Sequence, residues 1–131
     1  MTDVLDTRAG FSHFERVAVP SWASGAGSAP YLACCDAALA VLLDGAVPGS
    51  SVVDVHCRMH RSAAAGDALD AGLRVMDLGT ASVRFEVGLF HPGEDKPAAS
   101  ACLALVLVDG QSGKPAPMAP ALRKRLDALR G

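Results

Sequence analysis

Asp36 is the one charge in an apolar stretch, "SWASGAGSAPYLACCDAALAVLL" (21–43), where it follows Cys34 and Cys35 and a loop of Gly, Ser and Ala. At helical spacing its neighbours are Leu32 on one side and Leu39 and Ala40 on the other. Apolar surroundings disfavour a charged carboxylate and suit it to proton transfer near neutrality. Asp36 is therefore a candidate general base. The other reading pairs it with an arginine or a backbone N–H and makes it a residue that orients the helix. Ser24, Gly25, Gly27 and Ser28 precede the helix, where unpaired backbone N–H groups and the positive end of the helix dipole could hold a developing oxyanion. Glycine there admits close approach of a ligand, or simply lets a tight loop pass.

Other nucleophiles fare worse. Cys34 or Cys35 would need a nearby base that the helix does not provide, so both read as packing residues. Ser21, Ser24 and Ser28 have no Ser/His/Asp spacing around them and could at most position a water. His56 and His60 fall on the polar side of a strand pattern and read as surface or interface histidines. Trp22, the single tryptophan, could line an apolar pocket or cover a sheet edge. The four cysteines show no CxxC and no Cys/His ligand spacing, which argues against zinc and against any other metal site. Reduced thiols and a cytoplasmic location are the expectation.

These residues must be positioned by a single domain, 1–131, since 131 residues support one core and not two. Half of the residues are hydrophobic but only 5% aromatic, so the core is built from Val, Leu and Ala. A formal charge of -2 and a pI of about 6.0 give no sign of a nucleic-acid groove or a membrane surface. The basic run Arg123, Lys124, Arg125 and Arg130 reads as a solvated helix face. "MTDVLDTRAG" lacks the apolar region of a signal peptide, and the runs near 37–43 and 101–108 are too short to span a bilayer.

"HFERVAVP" (13–20) reads as a short strand ended by Pro20. Ser28 and Pro30 suit the cap and first turn of a helix running from about 30 to 43. It is apolar nearly all round, as buried helices are. Period-two patterns follow. In 52–60, Val53, Val55, Cys57 and Met59 share one face; in 68–76, Leu69, Ala71, Leu73 and Val75; in 82–90, Val83, Phe85, Val87 and Leu89. Residues 99–110 are apolar on both faces, which predicts a strand covered on both sides. A final helix places Leu122, Leu126 and Leu129 on one stripe. One helix followed by an antiparallel meander predicts an α+β fold.

Four passages in this order resemble a family. "YLACCDAA" (31–38) is similar to a Tyr-Leu-x-x-x-Glu-x-Ala helix, with Asp36 in the place of Glu. "MHRSAAAGDAL" (59–69) resembles Tyr-His-Arg-Pro-x-x-x-Gly-Asp-x-Leu. "DLGTASVRFEV" (77–87) resembles a Leu-Gly-x-x-Ser strand start, and "GKPAPMAPALRKRL" (113–126) a closing Lys-Pro-x-Pro-x-Pro with a short helix. Over about residues 14–126 the chain resembles the hotdog-fold acyl-CoA thioesterase superfamily, in its 4-hydroxybenzoyl-CoA thioesterase-like branch. The resemblance implies an antiparallel sheet of about five to six strands wrapped round one long central helix, with a short C-terminal helix. It implies an acyl-CoA or acyl-carrier thioester as substrate, with coenzyme A only as part of that substrate and no separate cofactor. It also implies a homodimer or a dimer of dimers (a tetramer), with pockets at the dimer interface.

On that basis Asp36 is the catalytic candidate, Ser24, Gly25, Gly27 and Ser28 the oxyanion loop, and Trp22, Tyr31 and Cys35 the acyl pocket. Arg58, His60, Arg61, Arg84 and Lys114 are the candidate contacts for coenzyme A. One departure stands out. The family commonly carries an Asp in the loop before the helix, within a pattern like Asp-x-Asp-x-x-Gly-His-Val. Here that loop reads "PSWASGAGSAPY" and holds no acid, His or Asn. Two functions follow: hydrolysis of an acyl-CoA thioester, or binding of an acyl-CoA or acyl carrier without hydrolysis. A hotdog dehydratase would need a His beside the helix, and none occurs there.

Overall fold

The three period-two segments, the short segment near 13–20 and the apolar run after 99 form five strands, and the apolar stretch after the Gly-Ser loop forms a helix. The structure is a computed structural model that describes residues 7–22, 28–43 and 50–130, without the side chains of 50–53. In chain order the elements are β1 (His13–Ala18), α1 (Ala29–Leu43), β2 (Ser50–Met59), β3 (Ala68–Leu78), β4 (Ser82–Phe90), β5 (Ala99–Leu107) and α2 (Pro120–Asp127). All strand pairs are antiparallel and the order across the sheet is β1-β3-β4-β5-β2. This is the α+β hotdog architecture expected from the sequence.

Register decides which residues meet α1. Leu73, Val87 and Ala101 lie in one cross-strand row, and Val75, Phe85 and Leu103 in the next. All six are buried, and α1 adds Tyr31, Cys34, Cys35, Ala38, Leu39, Leu42 and Leu43 to the same core. Each fully buried Leu, Val or Phe contributes about 1.5–3 kcal/mol, so this seam dominates stability. α1 starts where Ser28 accepts the first helical bond, from the Leu32 N–H at 3.0 Å, with Pro30 in the first turn. α2 starts at Pro120, buries Leu122 and Leu126, and sends Arg125 Nη1 to the Leu42 carbonyl at 3.0 Å. The basic run is thus exposed, as expected, but Arg125 also satisfies one carbonyl at the C-terminal end of α1.

Two expectations about cover are corrected in the single chain. The helix is apolar nearly all round, yet only one face is buried; Asp36, Ala37, Ala40 and Val41 stay exposed, Val41 at 56%. The five strands cover one side of α1 and nothing among the described residues covers the other. On β5 burial alternates strictly: Ala99, Ala101, Leu103, Leu105 and Leu107 are buried, while Ser100, Cys102, Ala104 and Val106 are half-buried on the outer face. A similar limit applies to β2. Val55, Cys57 and Met59 oppose Leu103, Ala101 and Ala99, so the assigned face is right. Only Cys57 packs on the core, because β2 is the edge strand and overhangs the helix. Val53 lies outside the described side chains.

On the outer face, Phe11, Phe14 and Phe90 form a separate aromatic cluster with edge-to-face contacts at 5.9–6.3 Å. Gly72 and Gly88 make room for it: a Cβ on Gly72 would stand 2.7 Å from Phe11 Cγ. The segment before β1 therefore lies as a strap across β3 and β4.

Candidate active site

The first turn of α1 meets the stretch after β2 (60–67), which in turn meets the hairpin turn between β4 and β5 (91–98). Tyr31 joins the first two. Its ring is buried in the core and its hydroxyl donates to the Arg61 carbonyl at 2.6 Å. Burial raises the phenol above its usual pKa. The backbone N–H groups of His60 and Arg61 both donate to the Ala98 carbonyl, at 2.8 and 3.0 Å. The Arg61 guanidinium pairs with Glu94, and His91 Nε2 lies 3.3 Å from the Ser62 carbonyl. The polypeptide at 60–62 is therefore held on three sides.

Asp36 lies one turn further along α1, on its open face, with Ala37, Ala40 and Val41. The apolar enclosure expected from spacing is not formed within the chain: Asp36 and Ala40 face solvent and Leu32 is half-buried. Leu39, three residues on, turns the other way into the core. Ala29 and Tyr31, in the first turn, have N–H groups without an acceptor inside the helix, and Pro30 has no N–H. Ser28 stands at this entry; Ser24, Gly25 and Gly27 lie outside the described residues.

The residues assigned to the apolar pocket separate. Trp22 is 61% exposed, whereas Tyr31 and Cys35 are sealed in the core. Burial pushes the Cys35 thiol far up, and the thiols of Cys34, Cys57 and Cys102 are raised for the same reason first. All four are free and poorly suited to act as thiolates. The coenzyme A contacts also separate. Arg58, His60 and Arg61 cluster at the end of β2, with Arg58 directly across from Ser100 and His60 Nε2 3.3 Å from Ser100 Oγ. Arg84 shares the outer face with Arg58 but opposes Ala104, four residues or about 13 Å along β5 from Ser100, and lies 3.8 Å from Asp54. Lys114 belongs to the turn beyond the far end of β5, a strand length of about 26 Å from Ala99.

Sequence reasoning missed a cavity of about 290 Å³ lined by His13, Glu15, Val41, Leu42, Arg125 and Leu129. His13 and Glu15 oppose Leu73 and Ala71, so they occupy helix-facing positions, with His13 Nε2 2.8 Å from Glu15 Oε2. The signal was present in "HFERVA", where a strict alternation puts polar residues on the core side. The parts played by Arg8, His91 and Glu94 had only an indirect signal, namely glycines inside strand patterns at 72 and 88, which mark close approach of another group. Among the described residues no three His, Cys, Asp or Glu side chains converge as a metal site.

The sequence profile of the thioesterase-like superfamily matches residues 9–126, the whole span from the strap to α2. The chain belongs to the thioesterase-like superfamily. Solved structures agree with it. The PA5185 protein of Pseudomonas aeruginosa strain PAO1 is 26% identical, with 95% of this chain and 96% of that one covered and a TM-score of 0.85. A thioesterase from Thermus thermophilus, solved with coenzyme A and zinc, is 28% identical over 93% of this chain and 96% of its own, with a TM-score of 0.74. The probable thioesterase YbaW of Escherichia coli, 18% identical, shares the fold at a TM-score of 0.70, with 90% and 98% covered. No protein of curated function matches the sequence. In this thioesterase-like chain the first turns of α1 carry Tyr31, sealed in the core, and Asp36, open to solvent. No described helix is long and apolar enough to cross a membrane.

Proposed function

We propose that this protein acts on an acyl-CoA thioester, hydrolysing it to the free acid and the thiol. The observation that carries the reading is the superfamily match over 9–126, joined to a relative of 28% identity whose structure holds coenzyme A. In the reaction one water adds to the thioester carbonyl and the thiol of coenzyme A leaves with a proton. Asp36 takes the proton from that water, a role worth about 10²–10⁴ in rate. Backbone N–H groups at the entry of α1 stabilise the oxygen that becomes negative. Arg58, His60 and Arg61 hold phosphates of the nucleotide end, and Arg84 and Lys114 contribute from a second copy, since they lie far from that cluster in one chain. The acyl group lies beside Trp22. Coenzyme A enters only as part of the substrate, and no separate cofactor takes part.

The open face of α1 supports assembly. Ala37, Ala40 and Val41 surround Asp36 with exposed apolar surface, which a second copy would cover. Covering it would also give Asp36 the dry surroundings that general-base work requires. We place the protein in the cytoplasm as a homodimer or dimer of dimers, without nucleic-acid or membrane partners.

The loop before α1 contains no acid, His or Asn, and this favours one alternative, a protein that binds acyl-CoA or an acyl carrier without cleaving it. Turnover of short, aromatic and long acyl-CoAs, followed by loss of thioester absorbance, separates the two. Asp36→Asn is expected to lower kcat by about 10²-fold or more while the protein stays folded. Turnover unaffected by that change would remove Asp36 from the mechanism. Tight binding without turnover of any substrate would establish the binding protein.

A further inference from the structure

Arg8 grips the hairpin turn from the outer side of the sheet. Its backbone N–H donates to the Asp95 carbonyl at 2.8 Å, its Nε to the Glu94 carbonyl at 2.8 Å and its Nη2 to the His91 carbonyl at 3.0 Å. Nη1 meets Asp70 Oδ2 at 3.1 Å, and the guanidinium lies 5.0 Å from the Phe90 ring centre and 5.3 Å from that of Phe14. The turn is tight in itself. Glu94 N–H returns to the His91 carbonyl at 3.0 Å, with Pro92 second and Gly93 third at a φ of +79°, as a type II turn requires. From this fixed backbone the Glu94 side chain reaches Arg61 and the His91 ring reaches Ser62.

The geometry points to Arg8 and Glu94 as positioning residues for Arg61. Arg8 fixes the turn, Glu94 aims the guanidinium, and the strap on the outer face thereby sets the phosphate subsite of the ligand. This rests on the proposed reading of Arg61 as a phosphate contact. An arginine that is free to rotate loses that freedom when it binds an anion, whereas one already held has less to lose. Glu94 engages Arg61 through Nη1, and the guanidinium has four further donors to offer an anion.

Paired substrates test it, an acyl-CoA and the matching acyl-pantetheine, which lacks the nucleotide phosphates. Arg8→Ala is expected to raise KM for the acyl-CoA by about five- to tenfold and to move KM for the acyl-pantetheine and both kcat values less than about twofold. Arg8→Lys keeps a charge for Asp70 but cannot serve both carbonyls, and is expected to fall between. Equal changes on the two substrates, or none, overturn the proposal. Should the wild type treat the two substrates alike, in turnover or, where it turns over neither, in binding, the reading of Arg61 falls, and hydrogen exchange then decides the relay itself. Exchange of the His60 and Arg61 amides about tenfold faster in Arg8→Lys, with Phe85 and Leu103 unchanged, sustains it. An unchanged rate at 60 and 61 overturns it.

Discussion

The two ends of α1 are secured in opposite ways. At the N-terminal end the helix reaches outward: the Tyr31 hydroxyl goes to the Arg61 carbonyl, and the Cys34 thiol lies 3.7 Å from that of Ala18. At the C-terminal end another element reaches in, as Arg125 of α2 donates to the Leu42 carbonyl. The difference has a physical origin. A helix start offers N–H groups and positive potential, and side chains that donate elsewhere leave those groups for an anion. A helix end offers carbonyls, and an arginine both satisfies and neutralises them. The polar pair His13–Glu15 and its cavity lie at the neutralised end, where the core is least complete. The first end leaves N–H groups open, and the second is closed by a cation.

Substitutions can break that comparison. The largest effect is expected from Gly72→Ala, because the new Cβ would meet Phe11 near the base of its side chain, where little can yield. A loss of about 2–3 kcal/mol is expected in urea denaturation, with faster exchange at the strap and the hairpin turn. Protection near Leu42 should be unaffected. Next comes Tyr31→Phe, which leaves the Arg61 carbonyl without its donor and should cost about 1–2 kcal/mol. Arg125→Ala should cost less, about 0.5–1 kcal/mol, since Arg125 is itself exposed and water can take its place beside the Leu42 carbonyl. If Arg125→Ala proves the more damaging of the two, the order of the ends is reversed.

The smallest effect concerns pH and sharpens the picture of the N-terminal end. Burial raises the Cys35 thiol above its ordinary 9.0. A thiol that holds its proton more tightly when folded contributes stability that is complete below the unfolded value and declines as pH rises past it. At pH 9.0 the loss from one such group is below about 1 kcal/mol. Denaturation midpoints between pH 7.5 and 10 should therefore slope downward, and Cys35→Ala should flatten part of the slope. Identical slopes in the two proteins would show that Cys35 is hydrated.

The fold was legible because period and polarity agree along most of the chain. Val83, Phe85, Val87 and Leu89 alternate cleanly, and the structure buries all four. The start of β1 was harder to read, because Phe14 turns outward to Phe11 and Phe90 while His13 and Glu15 turn inward. That reversal follows from the strap, a tertiary feature with no local signature. Cover was also illegible. An apolar helix face reads as buried whether its own sheet or a second copy covers it, so Val41 and Leu39 look alike in sequence and differ in the chain. Of the candidate site, the proximity of Arg58, His60 and Arg61 could be read because the three are nearly adjacent in sequence. Glu94 could not, since it reaches Arg61 across a gap of 33 residues through a turn.

Trp22 gives the molecule an optical consequence of its architecture. It is the chain's single indole, it stands open to solvent two residues after Pro20, and Tyr31 is sealed away from it in the core. Excited at the red edge, where tyrosine does not absorb, the protein reports from one place. A water-exposed indole emits at long wavelength, and anything that dries it, whether an acyl chain or a second subunit, moves that emission to the blue. Dilution and ligand titration act on those two causes separately, so a fluorimeter can tell assembly from occupancy without a label.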